Sequence, residues 1–252
     1  MEKLSNTEQY LWDFIEDNPD QVTRYSISKL SELANVSTAT IVRTMKKMGY
    51  SGYTDFRQKF FEKSSNPDLK YNILAQVNSE IRKVILNNEA EVHNTIQLLD
   101  KNIIEDSVQE VMTAKSIYIF ARGFSTFIAS EMLVKLQLLN KFVQANDDPN
   151  IIRTISKDIK PNSVVLFITL NGNTQELVDA AKILQRHDVP TITFTTNSQG
   201  EIVKYSDLVF LGYKSKTTYF PEYEVNSRLP LQIMTRILTD ALALRIKNLD
   251  VK

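Results

Sequence analysis

Apolar residues recur at helical spacing through the first quarter of the chain. Leu11, Phe14 and Ile15 share one face of a stretch that should stop at Asn18-Pro19. A short helix follows, with Ile27, Leu30 and Ala34 on one side, and breaks at Asn35-Val36. Ser37 is placed to cap the next helix with its hydroxyl. That helix carries Ile41, Met45 and Met48 as an apolar stripe, and Gly49 is placed to end it. Tyr53, Phe56 and Phe60 mark one more helix. The polar, proline-containing stretch 64–70 reads as a linker, and residues 71–114 return to helix in two segments divided near Asp100-Lys101.

From residue 116 the period changes. Short β-branched runs ("SIYIFA", "FVQA", "SVVLFIT", "PTITFTT", "DLVFLG") alternate with helical stretches, the last at about 228–248. Strand-helix alternation predicts right-handed βαβ units and a parallel sheet covered on both faces. The expected fold is an all-α domain followed by a doubly wound α/β domain with five parallel strands. The boundaries are set at 1–63, a linker at 64–77, and 78–252.

Within the helical part, "ISKLSELANVSTATIVRTMKKMGY" has the spacing of a helix-turn-helix. Ala34 is small enough for a close helix crossing, and Val36 fills the turn. If Ile41, Met45 and Met48 face inward, the opposite face carries Thr38, Ala39, Thr40, Arg43, Thr44 and Lys47, with Ser37 at its start. Such a face suits a DNA major groove: arginine bridges guanine, threonine meets a base edge or thymine methyl, and lysine meets a phosphate. The alternative is a helical hairpin whose basic residues are merely solvated.

Two turns in the α/β part look alike. Arg122-Gly123-Phe124-Ser125-Thr126 follows one strand, and Thr169-Leu170-Asn171-Gly172-Asn173-Thr174 follows another. Each joins a buried strand to a helix N-terminus, where unpaired N–H groups and partial positive charge favour an anion. Gly123, Ser125, Thr126, Thr169, Asn171, Gly172 and Thr174 are the candidate anion-binding residues, with glycine allowing close approach. Asn173 and Glu176 also have the spacing of a capping box, in which case the turn binds nothing.

Composition narrows the function. Formal net charge is zero, which by itself argues against a polyanion partner. The zero conceals a gradient: residues 1–20 hold one base and six acids, and residues 21–63 hold eight bases and three acids. A local basic module behind an acidic first helix remains compatible with nucleic acid. There is no cysteine, which removes disulfides and thiolate metal sites and fits a reducing compartment. No secretory signal or membrane-spanning run is evident, so a cytoplasmic location is expected. No P-loop or dinucleotide fingerprint occurs, His93 and His187 stand apart, and no metal site, cofactor or catalytic residue is expected. The aromatic residues of 213–223 read as a loop.

Residues 26–60, with the run Ser37 to Arg43 and the following "GYTDFRQ", resemble the helix-turn-helix of RpiR-type transcriptional regulators. Residues 123–125, the turn 171–174 and "NSRLPLQIMTRILTDAL" at 226–242 are similar to sugar-isomerase (SIS) domains. The resemblance implies strand order 2-1-3-4-5 and a sugar-phosphate effector held by Ser125, Thr169, Asn171 and Thr174, with Gly123 and Gly172 shaping the turns. It also implies a sensor rather than an enzyme. Asn171 departs from the serine usual in the family. The expected partners are double-stranded operator DNA, a sugar phosphate, and a second copy in a homodimer or homotetramer; no membrane is involved. A sugar-phosphate isomerase with an appended helical domain is the alternative, with Glu176, Glu222 or Glu224 as its base.

Overall fold

The structure, a computed structural model, describes residues 4–18, 22, 25–65, 71–220, 222 and 225–250. The chain divides into two compact units, Met1–Leu86 and Asn87–Lys252.

The first unit is helical: α1 (Asn6–Asp17), α2 (Ile27–Leu33), α3 (Thr38–Lys47) and α4 (Tyr53–Ser65), then a 3₁₀ turn at Asn72–Ala75. Its core joins Leu11 and Ile15 of α1, Leu30 of α2, Ile41 and Met45 of α3, and Phe56 of α4, all fully buried. Val36 fills the α2–α3 turn as the spacing predicts. Phe56 is the hub: its ring meets Trp12, Tyr50, Tyr53 and Phe60 at centroid distances of 6.1, 5.2, 6.0 and 4.8 Å. The expected stop at Asn18-Pro19 is described only at Asn18, the C-cap of α1; Pro19 and most of the 64–70 linker lie outside the described residues.

Helices in both units end in the same way. After α3, the Gly49 N–H bonds to the Lys46 carbonyl and the Tyr50 N–H to the Met45 carbonyl, with Gly49 at φ +91°. This Schellman pairing satisfies carbonyls the helix would leave open. Asn35, Asn140 and Asp188 repeat it with φ of 50°, 58° and 53°. Asparagine and aspartate tolerate this left-handed region better than other non-glycine residues.

The second unit takes the Asn87–Gln97 portion of α5 (Ser79–Gln97), then α6 (Lys101–Thr113), β1 (Ser116–Ala121), α7 (Ser125–Leu138), β2 (Val143–Asn146) and α8 (Pro149–Ile155). It continues with β3 (Ser163–Ile168), α9 (Gln175–Arg186), β4 (Thr191–Thr195), a 3₁₀ turn (Glu201–Tyr205), β5 (Leu208–Leu211) and α10 (Leu229–Asp250). All strand pairs are parallel, in the order β2-β1-β3-β4-β5. Every residue of the central strand β3 is buried, as a strand covered on both faces requires. Val164, Leu166 and Ile168 pack on one face with residues of α6, α7 and α10. Val165 and Phe167 pack on the other with Ile152 of α8 and Leu177, Val178 and Leu184 of α9. β1 and β3 are neighbours whose chains leave in opposite directions across the sheet. The loops after them flank the switch point where open α/β sheets bind ligands.

Candidate functional site

In the helical unit, Ser37 caps α3 by accepting from the Thr40 N–H at 3.1 Å. Ser37, Thr38, Ala39 and Arg43 are exposed, and Thr40 is half-buried. Two expected members of this face behave differently. Thr44 is fully buried, its hydroxyl donating to the Thr40 carbonyl at 2.9 Å. That internal bond is how a threonine is buried without an unpaired polar group. Position 44 therefore belongs to the Ile41–Met45 stripe and leaves the outer face. Lys47 is only 22% exposed, and its ammonium bonds Glu8 at 2.8 Å. The exposed lysine is Lys46, which lines a shallow depression with Thr38, Ala39, Val42 and Arg43. Val42 and Lys46 thus join the outer face of α3, which lies slightly further round the helix than the polar spacing predicts.

Glu8 organises this region. Its carboxylate bonds the Ser5 N–H at 2.7 Å, closing a capping box on α1, and pairs with Arg43 Nε at 3.0 Å as well as with Lys47. Lys47, then the Ser5 amide, hold the carboxyl well below its usual 4.5, at about 2. A carboxyl lowered on folding contributes stability that is complete above its unfolded value and lost as pH falls through its folded value. Wild-type chain should therefore lose stability in the helical unit between pH 4.5 and about 2, followed by acid unfolding, and Glu8→Gln should flatten that limb. Superimposable acid limbs would remove this role for Glu8.

In the α/β unit a cavity of about 80 Å³ opens between the loops after β1 and β3. Ser125, Thr169, Asn171 and Thr174 line it. Gly123, Thr126 and Gly172 do not. The Thr126 hydroxyl is spent on the Gly123 carbonyl at 2.8 Å. Gly172 has φ +69°, and a Cβ there would lie 3.0 Å from Gly200 Cα and 3.3 Å from Ile202 Cγ2. Its bareness serves backbone packing against the β4 loop, where the expectation was close approach to a ligand. The same loop clamps the turn further. Thr195 and Thr196 hydroxyls donate to the Leu170 carbonyl, the Asn197 amide to the Asn171 carbonyl, and the Ile202 N–H to the Gly172 carbonyl.

The capping box between Asn173 and Glu176 is not formed. Asn173 Oδ1 instead accepts from the Glu201 N–H at 2.8 Å, and Glu176 lies 3.7 Å from Arg122 Nη2. The N-cap of α9 is Thr174, whose side chain makes no capping bond; nor does Phe124 at the start of α7. Ser5, Ser26, Ser37, Asp100 and Asp148 all cap their helices. The two helices bordering the cavity thus lack the caps found elsewhere in the fold. The Ser125 and Thr126 amides turn back to the carbonyls of Arg122 and Gly123. At α7 the cavity therefore meets the Ser125 hydroxyl and the helix dipole rather than those two amides. Among the described residues, no hydrogen bond to protein engages the Ser125, Thr169 or Thr174 hydroxyls.

Two arginines outside the expected set also line this cavity, Arg122 and Arg228. Arg122 donates to the Asp147 carbonyl. Arg228 enters from the start of the last helix. Its Nη1 donates to the Asn226 carbonyl at 2.8 Å, its guanidinium lies 5.9 Å from the Phe124 ring centroid, and its buried Nε has no partner among the described residues. Burial pushes its pKa down. A desolvated cation with an open donor is costly until an anion meets it. Lys214 adds a third cation, donating to Asn171 Oδ1 at 3.1 Å. That contact occupies the amide oxygen and leaves the Asn171 NH₂, a donor, for a ligand.

A larger cavity of about 540 Å³ lies near the opposite, amino ends of β4 and β5. Asp106, Glu110, Asp188 and Asp207 line it, a charge that repels phosphate. Glu222 and His93 and His187 are exposed and outside the small cavity; Glu224 lies outside the described residues. Among the described residues no acidic or histidine cluster fits a metal ion, and no helix is long and apolar enough to cross a membrane.

Comparison with known proteins follows the same division. Residues 1–67 match the helix-turn-helix domain of the rpiR family, and residues 110–238 match the SIS domain. An HTH-type transcriptional regulator of Providencia stuartii is 28% identical over 81% of this chain and 74% of its own. The HTH-type transcriptional regulator HexR of Escherichia coli is 28% identical over 78% of this chain and 69% of its own. Among solved structures, the NanR protein of Vibrio vulnificus complexed with ManNAc-6P shares 20% identity. It covers 98% of this chain and 91% of its own with a TM-score of 0.62. The sugar isomerase domain of an RpiR transcription factor from Sphaerobacter thermophilus covers 66% of this chain at a TM-score of 0.60. With a helix-turn-helix of the rpiR type at one end and an SIS fold at the other, the chain belongs to the RpiR family of transcriptional regulators.

Proposed function

We propose that the protein binds operator DNA through α3 and senses a sugar phosphate in the cavity between α7 and α9, as a regulator of carbohydrate metabolism. The observation that carries the sensor reading is Arg228: a half-buried guanidinium whose buried Nε has no partner among the described residues, beside Arg122 and between two helix N-termini without side-chain caps. Ser125, Thr169, Asn171 and Thr174 complete the phosphate's hydrogen bonds, with Lys214 behind Asn171. A screen of phosphosugars by thermal shift tests it, because a ligand selective for the folded state raises the midpoint. At least one phosphosugar should raise the wild-type midpoint, and Arg228→Gln should abolish the rise. A rise undiminished in the variant would put the phosphate elsewhere.

For the DNA face, Ser37, Thr38, Ala39, Thr40, Arg43 and Lys46 are the contacting set, and Arg43 reaches a base with the guanidinium nitrogens that Glu8 leaves open. Arg43→Ala should cost about 1–3 kcal/mol of base discrimination, whereas Lys46→Ala should weaken all sequences alike and lower the salt slope by about 1. Titrations of operator and scrambled duplex at several salt concentrations read both. Equal loss of affinity for the two duplexes in Arg43→Ala would make it a phosphate contact.

The functional domains are taken as 1–63 and 78–252 about a linker, with residues 78–86 grouping with the first compact unit. Two half-sites call for two copies, and exposed Phe127, Val134 and Leu138 on α7, with Phe142, supply an apolar face for a homodimer or homotetramer. The location is cytoplasmic, where operator DNA lies. A regulator is favoured over an isomerase by the relatives' names; among the described residues the lining of the small phosphate cavity itself holds no carboxylate or imidazole. Turnover of a phosphosugar by the purified protein would reverse that preference.

A further inference from the structure

The cavity that would hold the phosphate is too small for a whole ligand. At about 80 Å³ it falls short of the roughly 300–1,000 Å³ usual for small-molecule sites. A second cavity of about 220 Å³ has a lining that ends one residue along the chain from Arg228, and the two volumes together reach the lower end of that range. Ser227 lines the second cavity and Arg228 the first.

The chain after β5 ties the two together. Tyr213 N–H bonds Thr95 Oγ1 at 3.1 Å, and Lys214 Nζ bonds Asn171 Oδ1 at 3.1 Å. Ser215 N–H then bonds Glu91 Oε1 at 2.9 Å, and Ser215 Oγ lies 3.1 Å from Asn87 Oδ1. Consecutive residues 214 and 215 therefore touch the phosphate turn and the wall of α5. Tyr219 and Phe220 give the second cavity an apolar side, and Asn87 and Glu91 a polar one. A mostly apolar wall with a few placed polar groups is the makeup of a small-molecule site.

Glu91 is the telling member. It is 4% exposed, and among the described residues it pairs with no cation. A buried carboxylate accepts hydrogen bonds from hydroxyl or ammonium groups and repels a second carboxylate strongly where water is excluded. We propose that the second cavity takes the carbon chain of the phosphosugar anchored by Arg228, and that Glu91 makes the site select neutral or amino sugars over phosphorylated sugar acids. Discrimination here comes from rejecting the wrong ligand as much as from holding the right one. The assignment rests on the sensor reading above.

The test uses full-length protein and three probes: inorganic phosphate, glucose 6-phosphate and 6-phosphogluconate, by calorimetry or competition. The two sugars differ at one carbon, a neutral aldehyde or hydroxyl against a carboxylate. Wild type should favour glucose 6-phosphate by about tenfold or more, and Glu91→Gln should narrow the gap to about threefold or less. The glutamine amide oxygen still accepts from Ser215, so inorganic phosphate should still bind the variant and serves as the reference against which the gap between the two sugars is read. A wild-type preference for the sugar acid, or a gap that Glu91→Gln leaves intact while phosphate still binds, overturns the assignment to Glu91 alone. Failure of all three probes to bind wild type overturns the phosphate site and this inference with it.

Discussion

Gly172→Val should abolish the thermal response to phosphosugars while leaving the α/β unit folded. The residue sits at φ +69°, where β-branched side chains are outliers, and its Cβ would lie 3.0 Å from Gly200 Cα. Backbone on both sides of that contact has no flexible end to move aside, so the 170–173 turn has to shift. That turn carries Asn171 and leads into Thr174, both lining the cavity. The combined strain and overpacking should cost about 1–3 kcal/mol of stability, measurable in urea. Gly123→Ala is the matched control. It shares a left-handed φ of +55°, but a Cβ there meets nothing within 4 Å and the residue does not line the cavity. Only backbone strain of about 1–2 kcal/mol is expected, with the ligand response kept. Equal loss of response in the two variants would show that the clamp against Gly200 is not what shapes the site.

The second large effect is expected at Phe56. Truncation to alanine removes a fully buried ring and its contacts with Trp12, Tyr50, Tyr53 and Phe60, at a cost of about 3–5 kcal/mol. A small helical unit has little stability in reserve. The variant should therefore lose DNA binding through unfolding of this unit while the sheet domain keeps its cooperative transition and its phosphosugar response. Hydrogen exchange resolved along the chain separates the two units. Protection lost equally in β3 would mean that they fold as one.

What the sequence disclosed follows from how locally each feature is encoded. Strands β1, β3 and β4 stand out because a strand buried on both faces needs an unbroken run such as Val164 to Ile168. Helix ends stand out where Ser37 and Gly49 sit at positions their chemistry suits. Thr44 was misplaced because a threonine reads as polar, while its hydroxyl can be satisfied one turn back along the same helix. The role of Asn173 was open between cap and loop, and a backbone N–H distant in sequence, that of Glu201, decided it. Gly172 was visible as a turn residue, but Gly200, the partner that demands its bareness, belongs to the next βα loop. Arg122 and Arg228 show the same limit. One ends a strand and the other precedes the last helix, and only the assembled sheet brings both to one cavity.

That convergence also sets an order of events at the ribosome. The helical unit is complete by Leu86, whereas the cavity has to wait for Arg228. At about 5–20 residues per second, the interval is on the order of ten seconds. The residues of the helical unit are thus all synthesised before the last residue of the cavity, so the two units become available to fold at different times.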